Sequence, residues 1–292
     1  MFTFNLLDSS TASQYESMTF PSYQYLLQNI DSDPSVVAIG ASKQQQPVGL
    51  ALARIVQDKI SIIFSIFVAP QYRRAGIGTS LLSHLEKELK ARDCKILQLT
   101  YTTGKPTTPA LEHLLQKFEW TPPKTRTLVC KGEAERVIQA NWIKRYSRIP
   151  NSYQIFPWQE ITPEERQAIQ QQQEAQPWIP EDLIPFQHEE NLEPLNSLGL
   201  RYQGQVVGWV INHRLAPDTI RYTCSFVRED LQKMGRIIAL YSEACQRQIQ
   251  ANIPRGIWTV PSFHKSMVAF VQHRWAPYLN SISESRATLK LI

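Results

Sequence analysis

The stretch Val68-Ala69-Pro70-Gln71-Tyr72-Arg73-Arg74-Ala75-Gly76-Ile77-Gly78-Thr79 concentrates the groups that could hold a phosphate ester. Two glycines separated by one residue let backbone N–H groups approach a ligand with no Cβ in the way. The apolar spacing that starts at Ile77 predicts a helix, whose first N–H groups lack intrahelical acceptors and form the positive end of its dipole. Arg73 and Arg74 add positive charge, and Thr79 adds a hydroxyl. The chemistry this predicts is pyrophosphate binding by main chain. A Gly-x-Gly pair also marks ordinary turns, so the surrounding elements decide between the two.

The loop needs a strand before it and a helix after it. Phe2–Leu7 is β-rich, and the polar, tyrosine-bearing Ser10–Ile30 reads as one or two helices. Alternating and β-branched runs at Ser35–Ala41, Pro47–Val56 and Lys59–Val68 predict a three-strand meander, broken by Ser42–Gln46 and by Gln57-Asp58. Ile77, Leu81, Leu82, Leu85 and Leu89 then make one apolar helical face through about Ala91. A strand at Ile96–Tyr101, a helix at Pro109–Phe118 and a strand at Arg126–Lys131 complete an α+β domain, a mostly antiparallel sheet flanked by helices. Residues 132–151 hold the amphipathic Glu133–Tyr146 and read as a helical connector; Gln170–Gln173 reads as the solvated face of a helix that begins after Pro163.

The chain repeats itself. Pro47–Val56 lines up with Val206–Leu215, placing Gly49 on Gly208. At the same offset Phe67-Val68 meets Phe226-Val227 and Gly76 meets Gly235; with a short gap, Trp120 falls on Trp275 and Thr127-Leu128 on Thr288-Leu289. Identities are few but the order of elements recurs, which predicts two copies of one fold: residues 1–131, the connector 132–151, and residues 152–292.

With strand, loop and helix in this order, the loop resembles the acyl-CoA signature of the GNAT N-acyltransferase family: Val-x-Pro, then Gln/Arg-x-x-Gly-x-Gly/Ala, matched by Val68, Pro70, Arg73, Gly76 and Gly78. The resemblance covers nearly all of residues 1–131 and, less closely, 152–292, and it identifies the chain as a tandem arrangement with a degenerate second copy. It implies acetyl-CoA or another acyl-CoA as co-substrate and no metal. It also implies direct attack on the thioester by a primary amine of a small molecule or a peptide side chain. Phe67, Val68, Arg73, Arg74, Ala75, Gly76, Ile77, Gly78 and Thr79 would hold the CoA, and the Val68 backbone would polarise the thioester carbonyl. The strands at Lys59–Val68 and Ile96–Tyr101 would splay apart to admit the pantetheine arm.

The sequence departs from the family pattern where acid and base are expected. Alignment through Trp120 puts Leu115 where many members carry a tyrosine, and the second copy has Phe270 there. Lys59–Val68 offers only Ser61 and Ser65 as neutral polar groups where a glutamate is common. Tyr101 is the catalytic candidate that remains, ahead of His113 and His84, which read as helix-surface or core residues, and of Tyr72, which reads as packing over the nucleotide. Approximation and orientation alone can supply about 7–11 kcal/mol at the upper end, so a missing base does not exclude catalysis.

In the second copy Ile237 stands where the second loop glycine belongs and Glu229 replaces the proline; both disfavour phosphate. Pro177–Glu193 sets Trp178 and Phe186 among carboxylates, and Glu181, Asp182 and Glu189 are expected to receive a cationic amine if that stretch is more than a solvated loop. The net charge of +5 and pI of about 9.0 come from scattered basic residues, which argues against a nucleic-acid surface. Four separated cysteines fit neither a metal site nor a disulfide framework, and no stretch reaches the length of a membrane span, so a cytoplasmic protein is expected. The function expected is N-acyl transfer from CoA, acetyl by default, with a non-enzymatic acyl-CoA-binding scaffold as the alternative. Monomeric pseudo-dimer and homo-oligomer both stay open.

Overall fold

A computed structural model describes residues 1–56 and 59–292. The chain forms two compact units, Met1–Arg126 with Ser285–Ile292, and Thr127–Glu284.

In the first unit the alternating runs become β1 (Phe2–Leu6), β2 (Val36–Lys43), β3 (Gln46–Ile55) and β4 (Ile60–Val68), antiparallel in that order. The β2–β3 hairpin turns on Gln44 and Gln45, both at positive φ (51° and 67°), as a tight two-residue hairpin requires. The break expected at Gln57-Asp58 lies outside the described residues. Ser10–Ile30 is less helical than expected: α1 (Ser9–Ala12) and α2 (Gln24–Gln28) flank tight 3-10 turns, and Asp8 caps α1. These pack Ala12, Tyr15, Leu26 and Leu27 on one face of the sheet, against Leu50 and Leu52. On the other face α3 (Ile77–Ala91) buries Ile77, Leu81, Leu82, Leu85 and Leu89, the stripe read from the sequence. β5 (Ile96–Thr102) runs parallel to β4, and α4 (Thr108–Lys117) follows, with Leu115 in the core. Each such buried aliphatic side chain stabilises by roughly 1.5–3 kcal/mol.

The second unit contains β6 (Lys124–Glu133), α5 (Ala134–Val137), α6 (Asn141–Tyr146), β7 (Tyr153–Pro157), α7 (Pro163–Ala175), β8 (Leu198–Tyr202), β9 (Gln205–Ala216) and β10 (Thr219–Val227). There follow α8 (Glu229–Gln232), α9 (Arg236–Gln250), β11 (Arg255–Pro261) and α10 (Lys265–Phe270), and then β12 (Ser281–Leu291), which belongs to the first unit from Ser285 on. Its strands lie in the order β6-β11-β10-β9-β8-β7. Thr162 caps α7 in a box with Glu165, while Gln173 caps the turn beyond it through the N–H groups of Trp178 and Ile179.

The repeat is visible in the pairing. β4 and β5 run parallel over Ile60–Ile63 and Ile96–Leu99; β10 and β11 do so over Thr219–Tyr222 and Arg255–Trp258, the same positions at the offset that places Phe67 on Phe226. A Cβ on Gly49 would lie 2.9 Å from Phe67 O, and one on Gly208 would lie 2.8 Å from Phe226 O. Both glycines are therefore required by the same close approach of backbone.

The expected boundaries need correction. Thr127–Glu133 of β6, assigned from the sequence to the first copy up to residue 131, pairs with β11 in the second unit. Ser285–Leu291 of β12 instead pairs with Ile96–Thr102 of β5 and completes the first unit. It is held there by Lys290 on Glu86 (2.6 Å) and by Thr121 Oγ1 on the Leu289 backbone. The two last strands share one pattern, and pattern fits either sheet. The alignment of Thr127-Leu128 with Thr288-Leu289 is also three residues out, since Thr127 faces Pro261 and Ser285 faces Thr102, its equivalent. The expected connector is two short helices built into the second core through Ala134, Val137 and Ile143. Among the described residues no helix is long and apolar enough to cross a membrane.

Candidate functional site

The candidate site begins where β4 and β5 separate. Their pairing ends at Ile63 and Leu99, and a bulge in β4 opposite Leu52 and Ala53 bends the strand just beyond. Ala69 N–H donates to Val48 O at 2.9 Å, whereas Val68 sits opposite Gly49 one step back along the ladder. Antiparallel pairs alternate, so the Val68 N–H and C=O turn away from β3 and into the gap that β5 has left. Arg73 Nε donates to that Val68 carbonyl at 3.0 Å, and the N–H beside it faces the gap.

The loop that follows is open. Arg74 (φ 66°) and Gly76 (φ 78°) are both left-handed, and Gly76 is the N-cap of α3 with no side-chain cap. The first intrahelical bond is Ser80 N–H to Gly76 O, 3.0 Å, so among the described residues the N–H groups from Arg74 to Thr79 have no backbone acceptor. A left-handed non-glycine residue costs roughly 1–2 kcal/mol, and such strain gathers at ligand clamps. A Cβ on Gly76 would meet nothing within 4 Å, and one on Gly78 would meet only Val68 Cγ2 at 3.8 Å and Leu114 Cδ2 at 4.0 Å. Arg73, Arg74 and Ala75 are exposed and Thr79 is half-buried, whereas the Ile77 side chain is core, leaving only its backbone for a ligand. Phe67 is half-buried and bonded across to β3. The Tyr72 ring is edge-on to Phe2 and under Lys43.

Tyr101 stands two residues past the last β4–β5 pair. Its hydroxyl donates to Glu112 Oε1 of α4 at 2.7 Å, and Arg286 Nη1 of β12 reaches the same oxygen at 2.8 Å. Burial, then the Glu112 carboxylate, push the Tyr101 hydroxyl up to about 12. Neither Glu112 nor Arg286 stands out in the sequence, because α4 spacing does not show which surface carboxylate meets β5, and Arg286 comes from the far end of the chain. His84 is a surface residue, its Nδ1 on Ser80 O at 2.7 Å and its ring stacked on Phe4; His113 is exposed on α4.

On the opposite face of the sheet, Phe64 of β4 packs on Tyr23, Tyr23 on Phe20, and Lys105 Nζ lies 5.3 Å over the Phe20 ring. Ser65 Oγ, 2.6 Å from Thr19 Oγ1, belongs to this cluster, while Ser61 Oγ is spent on Arg54 O. Sequence reading missed this aromatic wall beside the gap, although the exposure of Phe20, 52%, is a signal only the fold supplies. Two of the three carboxylates expected to receive an amine have partners of their own. In the second unit, Glu189 accepts from Trp158 Nε1 (2.5 Å) and Arg166 (2.8 Å), and Asp182 pairs with His264 at 2.9 Å. Glu181 is exposed on a 3-10 turn. Their segment covers the β9–β10 face: Trp178, Leu183, Ile184 and Phe186 pack on Trp209 and Phe226.

The second copy keeps the left-handed cap glycine and closes the loop: Lys233 is right-handed (φ −64°) where Arg74 is left-handed, and the Gly235 N–H donates to Gln232 O at 3.0 Å. Gln232 Nε2 donates to Val227 O at 2.9 Å, the counterpart of Arg73 on Val68, and Gly235 is again left-handed (φ 69°) at the start of α9. The Tyr146 ring lies over it, so that a Cβ on Gly235 would be 2.7 Å from Tyr146 Cδ1. Ile237, expected to crowd the loop, packs against the core instead.

A diverging parallel strand pair, an inward-facing strand-end N–H and a bare glycine cradle at a helix start together make a site open to a phosphate-bearing ligand. The sequence model of the acetyltransferase (GNAT) family matches residues 4–119, within the first unit. Among solved structures, a tandem GNAT protein from the clavulanic acid biosynthesis pathway aligns over 100% of this chain and 98% of its own, at 12% identity and TM-score 0.62. A GCN5-related N-acetyltransferase from Sphaerobacter thermophilus aligns over 99% and 95%, at 14% identity and TM-score 0.57. A fungal GCN5-related glucosamine N-acetyltransferase region aligns over 100% of this chain and 38% of the fungal one, at 13% identity and TM-score 0.59. The tandem GNAT fold therefore extends over the whole chain. No curated protein matches it in sequence.

Proposed function

We propose that the first unit transfers an acyl group, acetyl by default, from CoA to a primary amine. The observation that carries this reading is the open cradle: the N–H groups from Arg74 to Thr79 are unpaired and face space that no Cβ fills, next to a gap into which the Val68 N–H points. That cradle suits a pyrophosphate, and acyl-CoA supplies an activated thioester. The Val68 N–H is the donor available to the oxyanion that forms when the amine attacks.

Proton balance needs no separate base. The neutral amine forms the C–N bond, the C–S bond breaks, and the proton shed by nitrogen ends on sulfur. Tyr101 assists by turning its hydroxyl from Glu112 to the sulfur, as a hydrogen-bond donor rather than as the proton source. A phenol pushed up to about 12 is a far weaker acid than a thiol of ordinary pKa, about 8.5, so proton transfer from it to the leaving sulfur runs uphill. The acceptor approaches from the wall of Phe20, Tyr23 and Phe64, and no specific amine is assigned.

The test is release of CoA thiol from a panel of acyl-CoA and amine pairs, with products resolved by mass. Amine-dependent release that is lost in Gly78→Ile supports the proposal. Tight acyl-CoA binding with no amine-dependent release across the panel would leave the scaffold reading in its place.

A further inference from the structure

In the second unit a cleft of about 580 Å³ opens beside α6, the first turn of α9 and the segment from Phe270 to Tyr278. Trp142, Tyr146 and Phe270 give it aromatic walls; Arg145, His273 and Arg274 give it cations, and no acidic residue lines it. Among the described residues neither guanidinium is paired with a carboxylate, whereas half of the arginines of this unit are. The walls are tied in place. Trp142 Nε1 donates to Arg274 O at 3.2 Å, Arg136 Nη2 donates to Pro277 O at 2.8 Å, and Trp142 is edge-on to Phe270 at 5.1 Å. His273 and Arg274 sit on a π-helical turn, Val271–Trp275, a distortion that costs regular helix hydrogen bonding and recurs at functional sites.

The cleft reaches α9 at Ile238, the counterpart of Thr79, yet Tyr146 covers the Gly235 backbone, so main-chain phosphate binding of the first-unit kind is closed here. What remains is side-chain recognition: planar faces for a flat ring and two guanidinium forks for anionic oxygens. The volume falls within the range of small-molecule sites. We propose that this cleft binds a purine nucleotide, its base on the Trp142–Phe270 wall and its phosphates on Arg145 and Arg274, independently of the acyl-CoA loop.

The test is calorimetric titration of the full chain with ATP, made in the Gly78→Ile background to silence the first loop, with adenosine and tripolyphosphate as further arms. One ATP per chain is expected, weakened about tenfold or more by Arg274→Ala and by Arg145→Ala, each the loss of a charge-assisted contact. Tripolyphosphate and adenosine should each bind at least tenfold more weakly than ATP. Trp142 is half-buried, so the exposed Arg274 carries the test if Trp142→Leu fails to fold. No ATP binding at millimolar concentration, ATP binding unaffected by Arg274→Ala, or tripolyphosphate binding as tight as ATP would each overturn the proposal.

Discussion

The loops at Gly76 and Gly235 start equivalent helices, follow equivalent strands and place a side chain on the same strand-end carbonyl, yet only the first exposes its backbone. The difference lies both in the loops, where Lys233 is right-handed (φ −64°) against the left-handed Arg74 (φ 66°) and the Met234 and Gly235 N–H groups find backbone acceptors, and in what packs on them. Nothing lies within 4 Å of the Gly76 Cβ position, whereas Tyr146, about 90 residues earlier in the chain than Gly235, lies 2.7 Å from the other. The second cradle is thus retired twice over, by a loop that satisfies its own N–H groups and by an aromatic ring from a neighbouring helix.

The largest effect should come from filling the open loop. Gly78→Ile is expected to weaken acyl-CoA binding by roughly 100-fold or more, about 2.7 kcal/mol, while the thermal midpoint moves little, because the new Cβ meets only ordinary contacts. Calorimetric titration alongside thermal melting checks this; unimpaired binding would erase the distinction between the loops.

Alanine at the two cap glycines should then separate them by stability. Gly76→Ala carries only the left-handed penalty, about 1–2 kcal/mol. Gly235→Ala adds overpacking against Tyr146, about 1–3 kcal/mol more. Denaturant melts of both variants measure the gap, and equal losses would mean that the Tyr146 ring yields freely.

A pH series sharpens the chemical half of the comparison. Thiol release with a lysine-like amine should keep rising toward the amine's own pKa, about 10.4, since no side chain is proposed as base. Tyr101, raised above its unfolded value of about 10, keeps its proton over that range. The stability it contributes is present below about pH 10 and is lost as pH rises through about 12, so the rate should fall only on that alkaline limb. A plateau near neutrality would show that the site supplies a base.

The smallest effect is expected from Ile237→Gly. With Tyr146 still over Gly235, the chain should bind one acyl-CoA as before, and a second bound equivalent would show that Ile237, not Tyr146, is the barrier.

Much of this molecule is legible along the chain. Alternating and β-branched runs located β2, β3 and β4, the first two buried on both faces and β4 alternating, and the Ile77 to Leu89 spacing located α3 with its buried stripe. The Gly-x-Gly loop and the internal repeat were legible because both are written in consecutive residues. What could not be read was pairing at long range. Either terminal strand fits either sheet by pattern, and only packing placed Thr127–Glu133 on β11 and Ser285–Leu291 on β5. That exchange brings Arg286 to Glu112 and Tyr101, three residues that no spacing connects. The carboxylates near Trp178 looked free for an amine until the fold gave Glu189 to Arg166 and Asp182 to His264. Local backbone preference and periodicity are set within a few residues of chain and so survive in the sequence. Which strand closes a sheet, which ring covers a glycine and which carboxylate keeps a partner depend on groups brought together only when distant segments pack, and those the tertiary structure decided.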